Sequence, residues 1–249
     1  MRIKLKLQQL YSLTRQALDD YEMIQSGDKI AIGISGGKDS LALLYSLAGL
    51  RRFYPVNFSI HAVTVDLGFE NLNLDDIQQI CDSLEVPYTI IRTEIGKIVF
   101  DDRKETNPCS LCAKMRKGAL NTKMKELGCN KIAYAHHRDD VLTTMLMSLF
   151  YEGRFHTFCP VTWLDKTNLQ VIRPFIYIPE ANIKGFINKY NIPVVKSPCP
   201  ADGNTKRKYI SELLQQLNRE NPGIKDRMFT AIQNSNMEGW SDIFGKSNS

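Results

Sequence analysis

Lys29-Ile30-Ala31-Ile32-Gly33-Ile34-Ser35-Gly36-Gly37-Lys38-Asp39-Ser40 is the stretch that decides the fold. Its first half is a short apolar run set off by Gly27-Asp28, and it reads as a buried strand. Its second half is a glycine turn. Leu41-Ala42-Leu43-Leu44-Tyr45-Ser46-Leu47 then continues as a helix, apolar nearly all round and therefore buried. A turn between strand and helix has a physical use. Gly36 and Gly37 let the backbone approach a ligand closely, and the N–H groups opening the helix suit phosphate oxygens. Ser35 and Ser40 add hydroxyls, Lys38 a compact positive charge, and Asp39 a carboxylate on the magnesium side. The loop is not a Walker A motif, because Ile32 stands where that pattern needs glycine and Asp39 follows the lysine. Nor is it the dinucleotide fingerprint, since Gly33, Gly36 and Gly37 lack its spacing.

Working outward, strand and helix keep alternating. Residues 3–24 read as an amphipathic helix, with Leu7, Leu10, Leu13, Leu18 and Tyr21 on one stripe. Strands are expected at 58–65, 88–91 and 131–135, and helices at 75–84, 114–127 and 139–150. This rhythm predicts an α/β fold, a parallel sheet with helices on both faces. After Gly153 the texture changes to a loop-rich stretch reaching Arg173-Pro174, followed by helices at 180–190, 210–218 and 224–233.

The 249 residues suffice for one large domain with a modest extension. With 43% hydrophobic and 24% charged residues the chain is neither disordered nor fibrous. No apolar run approaches the roughly 20 residues that span a bilayer, and the basic start Met1-Arg2-Ile3-Lys4 leads into no signal-peptide core. A cytoplasmic protein without a membrane is the expectation. A net charge of +5 is compatible with a polyanionic partner without demonstrating one.

Six cysteines in a chain of this length without a secretion signal argue for a reduced metal site among core thiols. Cys109-Ser110-Leu111-Cys112 opens a helix rich in Lys114, Arg116 and Lys117, whose cations, with the helix N-terminus, are expected to lower the thiol pKa values. Cys199 is a third candidate, in a loop stiffened by Pro198 and Pro200. A redox dithiol or half of a zinc site are alternatives for the pair. Cys81 and Cys129 read as core, and Cys159 lies in a loop. A second strand-to-helix junction carries Ala135-His136-His137-Arg138-Asp139-Asp140, where Asp139 and Asp140 would face the nucleotide or Asp139 would cap its helix.

The loop Ser35–Ser40 resembles the signature of the PP-loop, or N-type, ATP pyrophosphatases, which adenylate a carbonyl oxygen and release pyrophosphate. Together with the cysteines and the His-x-x-Asp-Asp string, the chain resembles the TtcA/TtuA group of tRNA thiolation enzymes, especially the tRNA 2-thiocytidine synthetase branch. The resemblance implies a HUP-like parallel sheet with a small helical C-terminal extension. It divides the chain into an N-terminal helix (1–26), a PP-loop domain (27–195) and a C-terminal segment (196–249). It implies ATP, Mg2+ and a 4Fe–4S cluster held by Cys109, Cys112 and Cys199, with the fourth iron left free for sulfide. It carries catalytic roles onto Arg116 and Asp140 and places adenine near Ile34 and Val65, with His136 adjacent to the nucleotide. Three departures stand out: Asp202 replaces the last cysteine of a common Cys-x-x-Cys, Ala135 replaces a glycine, and N-terminal zinc-finger cysteines are absent.

These expectations converge on a tRNA sulfurtransferase acting at a pyrimidine C2. Its partners would be tRNA and a sulfur donor (sulfide or a cysteine desulfurase), with a homodimer as the expected assembly. Lys114, Lys117, Lys206, Arg207 and Lys208, close in sequence to the cysteines, are the candidate RNA contacts. The competing readings are an ATP-dependent sulfur transferase or ligase on a small molecule, and a zinc- or nucleotide-binding regulator.

Overall fold

The computed structural model describes residues 2–69, 73–103, 108–164, 168–195, 199 and 206–240, with backbone alone for 2–6. In chain order the first elements are α1 (Arg2–Asp20), β1 (Lys29–Gly33), α2 (Lys38–Leu50), β2 (Ser59–Asp66), α3 (Asp75–Ser83) and β3 (Tyr88–Arg92). A short turn, α4 (Ile95–Lys97), leads to α5 (Pro108–Glu126), β4 (Lys131–Ala133) and α6 (Arg138–Glu152). Then come β5 (Val161–Leu164), β6 (Leu169–Ile172), α7 (Glu180–Lys189), α8 (Lys206–Glu220) and α9 (Ile224–Gln233). Among the described residues no helix is long and apolar enough to cross a membrane.

One sheet runs in the order β3-β2-β1-β4-β6-β5. Every neighbouring pair is parallel except β5 with β6. Successive strand side chains point to opposite faces, and helices cover both. Ile30 and Ile32 face the larger core with Leu10, Leu18, Leu44, Phe175 and Trp240. Ala31, Val63, Ile132 and Val171 face α5 through Leu120 and Met124. The expected doubly covered parallel sheet is therefore the observed one.

The stretch expected to be loop-rich after Gly153 instead contains the strands β5 and β6. Each has four residues, too short for a periodic signal to separate from loop. Pairing decides them: β6 lies parallel to β4, and β5 folds back antiparallel onto β6 at the sheet edge. α5 starts at Pro108, so the cysteine pair does open this helix, ahead of the periodic segment from 114; a proline lacking an N–H is tolerated in the first turn.

A buried ion pair fastens the amino-terminal ends of the central strands β1 and β4. Lys131 Nζ lies 2.8 Å from Asp28 Oδ2, with side chains only 7% and 6% exposed. Lys131 also donates to the Met23 carbonyl at 2.9 Å, and Asn130 to Asp28 at 2.7 Å. Burial pushes the Asp28 carboxyl up, but the Gln25 N–H, Lys131 and Asn130 outweigh it and hold the group below its usual range. A carboxylate with a depressed folded pKa contributes fully above about pH 4 and loses that contribution as pH falls through the folded value. Asp28→Ala, which strands Lys131 in the core, is expected to lower stability by about 3–5 kcal/mol at pH 7 in urea titrations. The double variant D28N/K131M is expected to recover much of that loss.

Candidate active site

Carboxyl ends of parallel strands share one edge, and here the register makes them level. Ala133 pairs with Ile32 on one side and with Ile172 on the other. The segments leaving β1, β4 and β6 therefore emerge side by side.

From β1 comes the loop Ser35–Ser40. Ile34 N–H still donates to Val63 O at 2.8 Å, so the turn begins only beyond it. Ser40 Oγ donates to Gly37 O at 2.9 Å and accepts from Ser35 N–H at 3.2 Å, which closes the turn on itself. Gly36 is required twice over. Its φ is +78°, and a Cβ there would sit 2.8 Å from the Cβ of Val195. Val195 N–H in turn donates to Gly36 O at 3.0 Å. Gly37 is extended and precedes the first turn of α2. Lys38 is half-buried and held by Asp39 at 2.8 Å and by Glu180 Oε1 at 3.0 Å. Burial alone would lower its pKa; the two carboxylates reverse that and raise it.

The β4–α6 junction supplies the second group. Asp140, and not Asp139, caps α6, accepting the His137 N–H at 3.0 Å. Its other oxygen meets Arg207 from α8 at 2.7 Å. Asp139 instead reaches the start of α7, accepting the Glu180 N–H at 2.8 Å, and pairs with Lys225 of α9 at 2.7 Å. Burial opposes ionisation of both carboxyls. His137 and Arg207 at Asp140, and Glu180 N–H with Lys225 at Asp139, nevertheless keep them below the ordinary carboxylate range. His136 is the contrary case: burial, with Arg173 nearby, pulls its pKa down to about 4, so its imidazole is neutral.

A cavity of about 550 Å³ joins these parts. That volume suits a small-molecule or cofactor site. Ser35, Asp39 and Ser40 line it from the loop, His136 and Asp140 from the second junction, and Arg116 and Lys117 from α5. Ile34 and Val65, the expected neighbours of adenine, form part of its apolar wall.

Cys109 is exposed on the first turn of α5 and Cys112 is buried beneath it against Ile95 and Val99. Cys199, from the C-terminal segment, lies close enough to Cys112 to perturb it electrostatically, as does Cys109. The three thiols expected to act together are thus brought together. The expected lowering of their pKa is corrected at Cys112. Burial raises it and the two neighbouring thiols add to the rise, while Arg116 opposes them without prevailing. Among the described residues, no three His, Cys, Asp or Glu side chains close around a single point. A cluster offers a separate iron to each thiolate, and an all-sulfur set of three suits the ligation of a 4Fe–4S cluster. Pro198, Pro200 and Asp202 lie outside the described residues.

Cys81 and Cys129 are buried, as expected, and burial pushes Cys81 up to about 12. Cys159 Sγ turns to the Glu238 carbonyl at 3.2 Å. The basic candidates divide. Lys117 faces the cavity, Lys114 is exposed on α5 outside it, and Lys208 is exposed on α8. Lys206 lies 4.5 Å over the ring of Tyr151, and Arg207 is engaged with Asp140. Sequence reasoning missed Arg173, Glu180 and Lys225. A charged residue closing a strand at the ligand edge is a usable signal for Arg173. The other two arrive from later helices and carry no local mark.

Known proteins resemble this chain over most of its length. A family described as the PP-loop domain matches residues 4–217. A tRNA-cytidine(32) 2-sulfurtransferase from Pelobacter propionicus is 37% identical over 222 residues, which cover 88% of this chain and 82% of that protein. One from Citrifermentans bemidjiense is 35% identical, covering 88% of this chain and 87% of its own. Among solved structures, the U34-tRNA thiolase NcsA from Methanococcus maripaludis, with its 4Fe–4S cluster, superposes with a TM-score of 0.70. It is 25% identical and covers 89% of this chain and 78% of that one.

Two outcomes check the geometry. Gly36→Ala is expected to abolish nucleotide binding in equilibrium dialysis while far-ultraviolet circular dichroism stays native. For His136 the folded pKa lies below the unfolded value of about 6.5, so the unfolded chain binds more protons in between. Urea midpoints are therefore expected to fall as pH drops from about 6.5 toward 4, and His136→Phe to flatten that slope.

Proposed function

We infer that this chain, which belongs to the PP-loop family and within it to the tRNA-cytidine(32) 2-sulfurtransferases, is an ATP-dependent, iron–sulfur-dependent tRNA sulfurtransferase. The observation that carries the reading is one cavity, walled on one side by the phosphate loop and on another by Arg116, about one turn beyond Cys112 and two beyond Cys109 on the same helix.

In this reading the triphosphate lies on Ser35–Ser40, where the N–H groups opening α2 and the two hydroxyls face it. Adenine rests against Ile34 and Val65. The C2 oxygen of the pyrimidine attacks the α-phosphorus and pyrophosphate leaves. Sulfide then takes the place of that oxygen, which departs with AMP. Cys109, Cys112 and Cys199 would hold the 4Fe–4S cluster, whose chemistry is to keep sulfide available at the site.

Arg116 stands exposed on the cavity wall, free of any ion pair among the described residues, and suits the charge that develops on the base during displacement. Asp140 stays ionised at neutral pH, so it serves as a magnesium ligand or a proton acceptor and not as an acid. Neutral His136 presents an uncharged wall beside it. Exposed Lys114, Lys117, Lys206 and Lys208 suit the phosphate backbone. The target base must leave its stack to enter, which favours a loop nucleotide, and the relatives' names point to cytidine 32. Magnesium, a sulfide or cysteine desulfurase donor, a homodimer, a cytoplasmic setting and the division at residues 26 and 195 are parts of the same proposal and rest on the family resemblance.

Thiolation of tRNA transcripts, with ATP and sulfide under anaerobic conditions, is the direct measurement. The reconstituted protein is expected to form 2-thiocytidine, detected by nucleoside mass spectrometry. Cys109→Ala and Asp140→Asn are each expected to lower the rate by about 10²-fold or more without changing the melting temperature by more than a few degrees. Unchanged thionucleosides in a deletion strain would sink the RNA assignment, and a fully active Cys109→Ala would sink the role of the cluster.

A further inference from the structure

The cations around the site are mostly paired already. Lys38 holds Asp39 and Glu180, Arg207 holds Asp140, Lys225 holds Asp139 and Arg138 holds Asp226. Arg116 and Lys117 are exposed on α5, where water solvates them. Arg173, immediately after β6, is different. Burial pulls its pKa down to about 10, and among the described residues no carboxylate lies within ion-pair distance of it.

Its contacts hold the guanidinium without cancelling its charge. Nη1 donates to the Cys159 carbonyl at 2.5 Å and to Thr162 Oγ1 at 3.0 Å. The Phe158 ring lies 5.0 Å from the guanidinium carbon, and Nε is buried with no partner. The carbonyl and the hydroxyl are neutral acceptors. A guanidinium drawn out of water in this way costs stability unless an anion meets it. The same Phe158 ring lies tilted against that of His136 at 4.9 Å, and an imidazole, neutral or protonated, brings no negative charge to the guanidinium.

Position narrows the choice of anion. Ile172 pairs level with Ala133, which pairs level with Ile32, so Arg173 emerges from the same edge as the phosphate loop. It lines the same cavity as Ser35, Ser40 and Asp140. The substrates expected there are a nucleoside triphosphate and a ribonucleotide in a chain, and the anionic group common to both is phosphoryl oxygen. A planar guanidinium fork matches that group better than a point charge does.

We propose that Arg173 is a phosphoryl-oxygen receptor of this cavity, taking either the α-phosphate of the nucleotide or a backbone phosphate of the RNA that presents the base. The assignment rests on the sulfurtransferase reading and adds a substrate-binding residue to it. It also gives a function to residues 159–164 and to β6: they hold one guanidinium in place, through Cys159 O, Thr162 and the chain direction of β6.

The test compares wild-type holoenzyme with Arg173→Met, which keeps packing volume over Phe158 and removes the charge. Three quantities are read: melting temperature, affinity for α,β-methylene-ATP, and affinity for an RNA stem-loop carrying the target cytidine. Arg173→Met is expected to melt as high as wild type or higher, since an uncompensated charge has gone. One affinity is expected to fall about tenfold or more, and thiolation turnover by about 10²–10³-fold. Loss in the nucleotide arm assigns the α-phosphate; loss in the RNA arm assigns the backbone. Unchanged affinities and turnover overturn the proposal, as does a fall in activity that only tracks a fall in melting temperature. If Arg173→Met does not fold, Arg173→Lys decides, because it keeps the charge and loses the fork. Loss in either arm supports the receptor, and wild-type behaviour in both arms and in turnover overturns it. A wild-type enzyme that fails to thiolate RNA would remove the sulfurtransferase reading, while the nucleotide arm would still decide for or against Arg173.

Discussion

Ala133 sits between β1 and β6 in parallel register, level with Ile32 on one side and Ile172 on the other, and the site depends on that alignment. Parallel pairing sends all three strands out of the same edge. Level register then decides which residues meet. The loop after Gly33, the histidine–aspartate string after Ala133 and Arg173 after Ile172 become neighbours, although about 140 residues separate the first from the last. A slip of one residue in any pair would turn the following side chains to the other face of the sheet. The apolar packing of Ile30 and Ile32 on one face and of Ala31 and Ile132 on the other fixes the register against such a slip.

Helices from the second half of the chain stabilise this edge through charge. Asp139 bridges α6 to α7 and α9, Arg207 ties α8 to the cap of α6, and Glu180 reaches from the start of α7 to the phosphate-loop lysine. The contacts are partly buried, so solvent screens them less than surface pairs. They also explain why two adjacent aspartates have separate tasks. Successive positions on a helix point about 100° apart. Asp140 therefore turns back on its own helix end and the cavity, while Asp139 faces the neighbouring helices.

Much of this was legible in the amino-acid order because it is local. A strand, a glycine turn and a helix follow one another between Lys29 and Leu50, and backbone sterics with helix-end polarity are enough to read a phosphate site from them. The alternation that follows predicts the sheet. The cysteine pair announces itself by spacing, although the effect of its surroundings does not: burial of Cys112 depends on Ile95 and Val99, which no pattern near residue 112 reveals. The strands β5 and β6 are too short for periodicity, and only pairing with β4 defines them. Glu180 and Lys225 were missed for a related reason. Their significance lies in partners distant along the chain, and ion-pair geometry has no signature in one partner alone.

In the proposed function, a phosphate arriving at Lys38 would meet an ammonium that Asp39 and Glu180 already hold. Its engagement with a nucleotide is therefore an exchange of partners. The free energy gained there is the difference between two sets of charge-assisted hydrogen bonds, smaller than a bare ammonium would give. On the same proposal the exchange would run backwards as pyrophosphate departs, with Asp39 and Glu180 there to receive the lysine again. A loop arranged in this way would trade tight grip for turnover, and through Glu180 it would couple the first turn of α7 to each cycle of filling and emptying.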